Sequence, residues 1–334
     1  MKQTAFAGTN ARIRVFESNL LKDDQFERML QSPNFDEALT VLKDTPYRND
    51  VEQLRETKDY DALLVKELQR MYAELFSISP EPALVELFSL RYSYHNLKVL
   101  LKEKVTGNNF SEMLIPIGKE PLSTLRQAVE TGKSEDLEQE YLISIQEVLT
   151  DYEEYKNPQS IDIILDRRYF THLKQLAKKI NDPQVMDLIT LYIDLNNLST
   201  LARAIKQKRT RNFLTTILSS SGSIPKEELV SLGSESLEDA GRKLAEGKYR
   251  AIIMASIHSD NQELSPVKID LATDDAFMEK MKAAKLEVFG PMPLLAYIYA
   301  KENEVKNLRL ILVGKENNLP IEEVRERMRI NYGS

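Results

Sequence analysis

The sequence contains no cysteine, which excludes disulfides, thiolate metal sites and cysteine nucleophiles. Its three histidines, His95, His172 and His258, lie far apart along the chain, so a histidine-built zinc or iron centre is not expected. Glycine is scarce, 11 of 334 residues, under half the usual share of about 7%. Few glycines among many leucines, glutamates and lysines argue for helices and against a glycine-punctuated β-protein. No Walker loop is present: Gly118-Lys119, Gly132-Lys133, Gly247-Lys248 and Gly314-Lys315 lack the earlier glycine and the following Ser or Thr. GxGxxG, HExxH and GxSxG are also missing. These gaps nominate no catalytic, cofactor-binding or metal-ligating residue, and no cofactor is expected. A net charge of −7 speaks against a general nucleic-acid binder. The longest apolar run, Phe289 to Ala300, is 12 residues with Pro291 and Pro293 inside it, short of the roughly 20 that cross a bilayer. The start, Met1 to Asn10, has no apolar core of the signal-peptide kind, and a soluble cytoplasmic protein is expected.

What is there is a repeat. Three segments begin at a proline and reach an Asn-Leu pair 14 residues later: Pro82 to Asn96, Pro183 to Asn197, and Pro293 to Asn307. Between these points the apolar residues follow 3,4 spacing, which places them on one helical stripe. The first stripe is Leu87, Leu90, Tyr94, Leu97 and Leu101. The second is Leu188, Leu191, Leu195, Leu198 and Ala202, and the third is Ile298, Lys301, Val305, Leu308 and Leu312. Only Lys301 breaks the series. Asp182-Pro183 reads as an N-cap followed by a proline at the first helical position, where its missing N–H costs nothing.

Two further matches extend the unit. Ser223 to Leu229 resembles Asn318 to Val324 at an offset of 95, each with a capping residue, a proline and acids for a first turn. Phe35, Ala38, Leu42 and Tyr47 recur at an offset of 202 as Leu237, Ala240, Leu244 and Tyr249. The chain is read as all-α, built from three related helical-bundle units, 1–115, 116–223 and 224–334. Leu64, Leu68, Met71, Tyr72 and Leu75 form another helical stripe, as do Leu173, Leu176 and Ile180. Arg250 to Ile257 suits either a strand or a helix.

Three charged or polar features each have two readings. Ser134 to Tyr155 carries eight acids and no base, either a solvated face or a docking strip for a basic partner or cation. Arg203, Lys206, Lys208, Arg209 and Arg211 have no acid between them. They either complement the end of the second stripe helix or contact acidic side chains, helix-end carbonyls or lipid headgroups. The repeated Asn96, Asn197 and Asn307 are read chiefly as bridges between backbone groups where helices meet.

The ending Asn307 to Lys315, then Leu319 to Met328, resembles the C-terminus of the C subunit of prokaryotic V-type (A/V-type) ATPases, the counterpart of the eukaryotic V-ATPase d subunit. Ala11 to Arg14 with Leu20-Leu21, then Ala38, Leu42 and Thr45-Pro46-Tyr47, is similar to the family's start. The resemblance implies a funnel-shaped molecule with pseudo-threefold symmetry on the cytoplasmic face of the membrane rotor ring. It implies that the D and F subunits of the central stalk plug into the funnel and that membrane contact runs only through the ring. It implies a non-catalytic part that passes torque between ATP chemistry and ion transport. The alternative is an all-α repeat adaptor in another multiprotein complex. Residues off the apolar stripes are the partner-binding candidates: Arg12, Arg14, Arg91, Lys98, Arg203, Lys206, Lys208, Arg209, Arg211 and Arg309.

Overall fold

The computed structural model describes residues 3–333. Met1, Lys2 and Ser334, the outermost residues of the expected first and third units, lie outside them. The described chain is all-α, and the only β feature among its residues is an isolated antiparallel bridge between Ile257 and Leu264. The ambiguous segment resolves accordingly: Arg250–Ala255 is helix, and Ile257 just beyond it makes the bridge.

All three stripe segments are long helices: Pro82–Thr106, Pro183–Lys206 and Met292–Glu316. They are called here the first, second and third stripe helices. Their stripe positions are buried, with Leu191 only partly covered. Asp182 caps the second by accepting from the backbone N–H of Gln184 and Val185. The proline motif at offset 95 departs in detail from the expected cap. Pro225 and Pro320 themselves occupy the cap positions, and the helices Lys226–Leu232 and Ile321–Arg325 start one residue later. Ser223 is drawn instead to Asp194.

The chain forms two compact units. One spans residues 86–273. Its helices Gln139–Tyr155 and Gln159–Ile180 pack on each other, and the second stripe helix packs on the latter. Leu195, Leu198, Leu201 and Ala202 of that stripe helix close a core with Leu214, Leu229, Ala240, Ile253 and Ile269. The other unit comprises residues 3–85 together with 274–333. There the third stripe helix packs against Ala7–Ser18, Tyr60–Ile78 and Phe35–Val41. Every residue from Met292 to Val305 is buried. Burying one Leu or Ile side chain is worth about 1.5–3 kcal/mol, so this helix is a main support of its unit. The same burial forces polar residues at its centre to find partners inside the protein.

The three asparagines do one job. Asn96 Nδ2 donates to the Ile115 carbonyl at 2.7 Å, and its Oδ1 accepts from the Ile115 N–H at 2.9 Å. Asn197 makes the same pair of bonds to Ser219, at 2.8 and 2.9 Å. Asn307 makes them to Arg329, both at 3.0 Å. A side-chain amide carries a donor and an acceptor side by side, so it clasps one residue's backbone as a neighbouring strand would. All three asparagines are buried.

Candidate functional site

Three residues before each asparagine the stripe helices carry Ser93, Asp194 and Glu304, all buried. Asp194 accepts from the Ser223 N–H at 2.6 Å and the Tyr249 hydroxyl at 2.5 Å. Glu304 accepts from the Leu21 N–H at 2.6 Å and the Tyr47 hydroxyl at 2.7 Å. Leu21 and Ser223, like Tyr47 and Tyr249, are separated by the offset of 202. The sequence match thus has a physical cause: one tyrosine and one backbone N–H seat a stripe-helix carboxylate in each case. Glycines permit the close approach of the following loop. A Cβ on Gly222 would fall 2.2 Å from Asp194 Oδ1, and one on Gly118 would fall 2.8 Å from Ser93 Oγ.

Lys301, the break in the third stripe, is only 3% exposed. Its ammonium donates to Glu304 at 2.7 Å and the Tyr47 hydroxyl at 3.1 Å, and pairs with Glu67 at 3.0 Å. Burial penalises the charge, but Glu304 and Glu67 outweigh it and hold the Lys301 pKa above the ordinary lysine value. Burial beside Glu304 pushes the Tyr47 hydroxyl pKa up as well. Glu67 and Lys301 line a cavity of about 940 Å³, together with Arg70, Glu74 and Tyr297. Its charged wall suits a polar occupant better than an apolar one.

Two positions after each asparagine, each stripe helix meets an aspartate. Lys98 donates to Asp166 at 2.5 Å, Ser199 donates to Asp270, and Arg309 donates to Asp61 at 2.6 Å. Asp61, Asp166 and Asp270 recur at intervals of 105 and 104 residues, a signal present in the sequence that the helical-stripe reading missed. Arg203 also pairs with Asp270, and Lys102 with Asp162 at 2.8 Å.

Five of the ten partner-binding candidates therefore hold acids within this chain. Lys98, Arg203 and Arg309 do so as described, and Arg12 pairs with Glu74 at 3.1 Å. Arg14 pairs with Glu17 at 2.7 Å and donates to the carbonyls of Ala284 and Glu287. Arg91 lies over the Tyr92 ring and donates to its hydroxyl. The remaining four, Lys206, Lys208, Arg209 and Arg211, are exposed where the second stripe helix ends and the helix Arg211–Ile217 begins. Among the described residues no carboxylate lies within 4.0 Å of any of them; Arg209 meets Gln207 and the Phe213 ring instead. Lys208 takes a left-handed backbone, φ 53°, where the helix ends.

The acidic stretch is partly spent internally. Glu138 pairs with Lys119 and Lys179, Glu147 with Arg167 and Arg168, and Asp151 accepts from Ser160. Glu135, Asp136, Glu153 and Glu154 are exposed. His95 Nε2 lies 2.8 Å from the Met113 carbonyl, a structural bond that leaves it no catalytic geometry on that nitrogen.

Against known proteins, the family described as ATP synthase (C/AC39) subunit matches residues 9–327. The C subunit of the V-type sodium ATPase of Enterococcus hirae is 36% identical over 97% of this chain and 98% of its own length. The C subunit of the A-type ATP synthase of Methanocaldococcus jannaschii is 27% identical, covering 96% of this chain and 85% of the relative. The C subunit of the V-type ATP synthase of Thermus thermophilus is 26% identical, over 97% and 98%.

Proposed function

We propose a function that starts from one premise: the chain belongs to the ATP synthase (C/AC39) subunit family and is part of a rotary ATPase. Within that complex it is a non-catalytic component of the central rotor. It joins the D and F subunits of the central stalk to the membrane ring and passes torque between ATP hydrolysis or synthesis and ion transport. It sits peripherally, on the cytoplasmic face, and touches the membrane through the ring. No helix among the described residues is long and apolar enough to cross a bilayer, in keeping with a part held by partners.

The observation that carries this reading, beside family membership, is the repeated clasp. A part that transmits torque must not shear between its helices. Asn96, Asn197 and Asn307, all buried, each tie a long helix to a distant stretch of backbone through two bonds. The expected division into units 1–115, 116–223 and 224–334, and the funnel they form, is part of the proposal; the equivalent clasps support it. Lys206, Lys208, Arg209 and Arg211 are the favoured grip for an acidic partner surface, because the described chain leaves their charge unneutralised.

The test is a pull-down from detergent-solubilised membranes with the tagged chain. Recovery of the ring protein with D and F is expected. Charge reversal of the four free cations to glutamate is expected to cut that recovery at least tenfold without changing the helical circular dichroism. Recovery of unrelated soluble proteins without any ring protein would overturn the assignment in favour of a general helical adaptor.

A further inference from the structure

A second buried charge cluster lies in the unit of residues 86–273, away from the features used above. Glu86, in the first turns of the first stripe helix, is 1% exposed. Its Oε2 lies 3.3 Å from Lys119 Nζ, and its Oε1 has no hydrogen-bond partner. Lys119 also reaches Glu138 at 2.7 Å and Glu120 at 3.7 Å. From the helix Gln159–Ile180, Lys179 pairs with Glu138 at 3.5 Å, and buried His172 presents Nε2 to Glu138 at 4.0 Å without a hydrogen bond. Tyr141, on the helix Gln139–Tyr155, stacks edge-on against His172, 4.9 Å between ring centres, and feels the Glu86 charge. Asp136 flanks Glu120.

Charge counting singles out one member. Glu120 and Glu138 are two carboxylates matched by two ammonium groups, Lys119 and Lys179. An ionised Glu86 is a third carboxylate with no cation left for it, and it is the most buried of the three. A buried, unmatched charge with an unmet lone pair is removed most simply by a proton. Two near-fully buried polar groups without partners, Glu86 Oε1 and His172 Nε2, face this one cluster from different helices.

We propose that the Glu86–Lys119–Glu138–His172 cluster is a proton-binding site, with Glu86 as the acid that holds the proton and the first stripe helix as the element whose seating depends on it. Loss of the proton to bulk water takes Glu86 from neutral to −1. That leaves an unmatched negative charge between the first stripe helix and the helix Gln139–Tyr155, and loosens the contact. Lys119, whose side chain is 36% exposed, connects the cluster to solvent. The electrostatics agree: burial raises the Glu86 pKa to about 7 against the pull of Lys119, and burial lowers that of His172 to about 4, so the imidazole does not supply the missing positive charge at neutral pH.

The full chain and its Glu86→Gln variant are compared by potentiometric titration and by thermal melting across pH 5.5 to 8.5. The variant is expected to release one proton fewer over that range and to lose the fall in melting temperature expected of the parent as the pH rises through 7. Equal proton release and parallel melting curves would overturn the proposal. If Glu86→Gln does not fold, Lys119→Met decides. Removing the one cation beside Glu86 is expected to move the proton-release midpoint up by at least one pH unit, and an unmoved midpoint would overturn the proposal equally.

Discussion

Each compact unit buries carboxylates around a lysine, but the two clusters solve the problem of buried charge in different ways. Around Lys301 every strong group has a partner. The ammonium meets Glu67, Glu304 and the Tyr47 hydroxyl, and Glu304 also accepts from the Leu21 N–H. Around Lys119 the lysine is a third exposed, and Glu86 keeps one oxygen without a partner. The first cluster holds its charges because its lone pairs and protons are answered. In the second the cheaper state of the innermost acid is the neutral one. Burial alone therefore does not decide ionisation; the number of answered lone pairs does.

The sharpest way to break this comparison is to remove the lysine from the answered cluster. Lys301→Met removes the cation beside buried Glu304, while Glu67 keeps Arg70 at 2.9 Å, and is expected to cost about 3–5 kcal/mol, read as a drop in the denaturation midpoint. Adding Glu304→Gln to that variant should recover part of the loss, since it removes a stranded charge. No recovery would show that packing, not charge, holds the third stripe helix.

Acid should weaken the Lys119 cluster through His172. Its folded pKa, lowered to about 4 from the usual 6.5, contributes stability that is present above pH 6.5 and lost as the pH falls toward 4. The shift corresponds to about 3 kcal/mol. Glu86 acts in the opposite sense. Its folded pKa is raised to about 7, so its contribution is full below the ordinary 4.5 and lost as the pH rises through 7. Between about pH 4.5 and 6.5 the two oppose one another, so denaturation followed from pH 4 to 8 should show a shallow maximum, and His172→Phe should leave a continuous fall from acid to neutral pH. An unchanged acid side would remove His172 from the comparison.

The clasps test the equivalence of the three stripe helices across both units. Asn96→Ala, Asn197→Ala and Asn307→Ala each leave a backbone N–H and carbonyl unanswered, buried at Ser219 and part-buried at Ile115 and Arg329, and each is expected to cost about 1–3 kcal/mol in the same denaturation assay. Costs that differ widely would argue against one shared device. The smallest effect belongs to the exposed ion pair: Arg309→Ala, opposite Asp61, should cost less than about 1 kcal/mol and fade in high salt.

Much of the frame was legible in the residues. The 3,4 spacing located the three long helices, Asp182-Pro183 marked a helix start, and the repeated Asn-Leu pair marked the clasps. Lys301 stood out as the break in its stripe, although its partners Glu67 and Tyr47 could not be named from spacing. The candidate cations were legible only as a set. Arg203 and Lys206 look alike in sequence, yet Asp270 neutralises the first and no described carboxylate reaches the second. The seats at Asp194 and Glu304 were half legible: the offset of 202 relates Tyr47 to Tyr249, but it does not say which carboxylate each tyrosine meets.

The sequence by itself determined the all-α class, the stripe helices and the asparagine repeat, because helix period, caps and side-chain amides act over a few residues and repeat with the chain. Only the tertiary structure decided which charges are answered. Glu304 meets Tyr47 across 257 positions, and Glu86 is left with an open lone pair beside a lysine 33 residues away. The energy of a charge depends on the distance to its partners and on the water around it, and neither is written in the order of the residues.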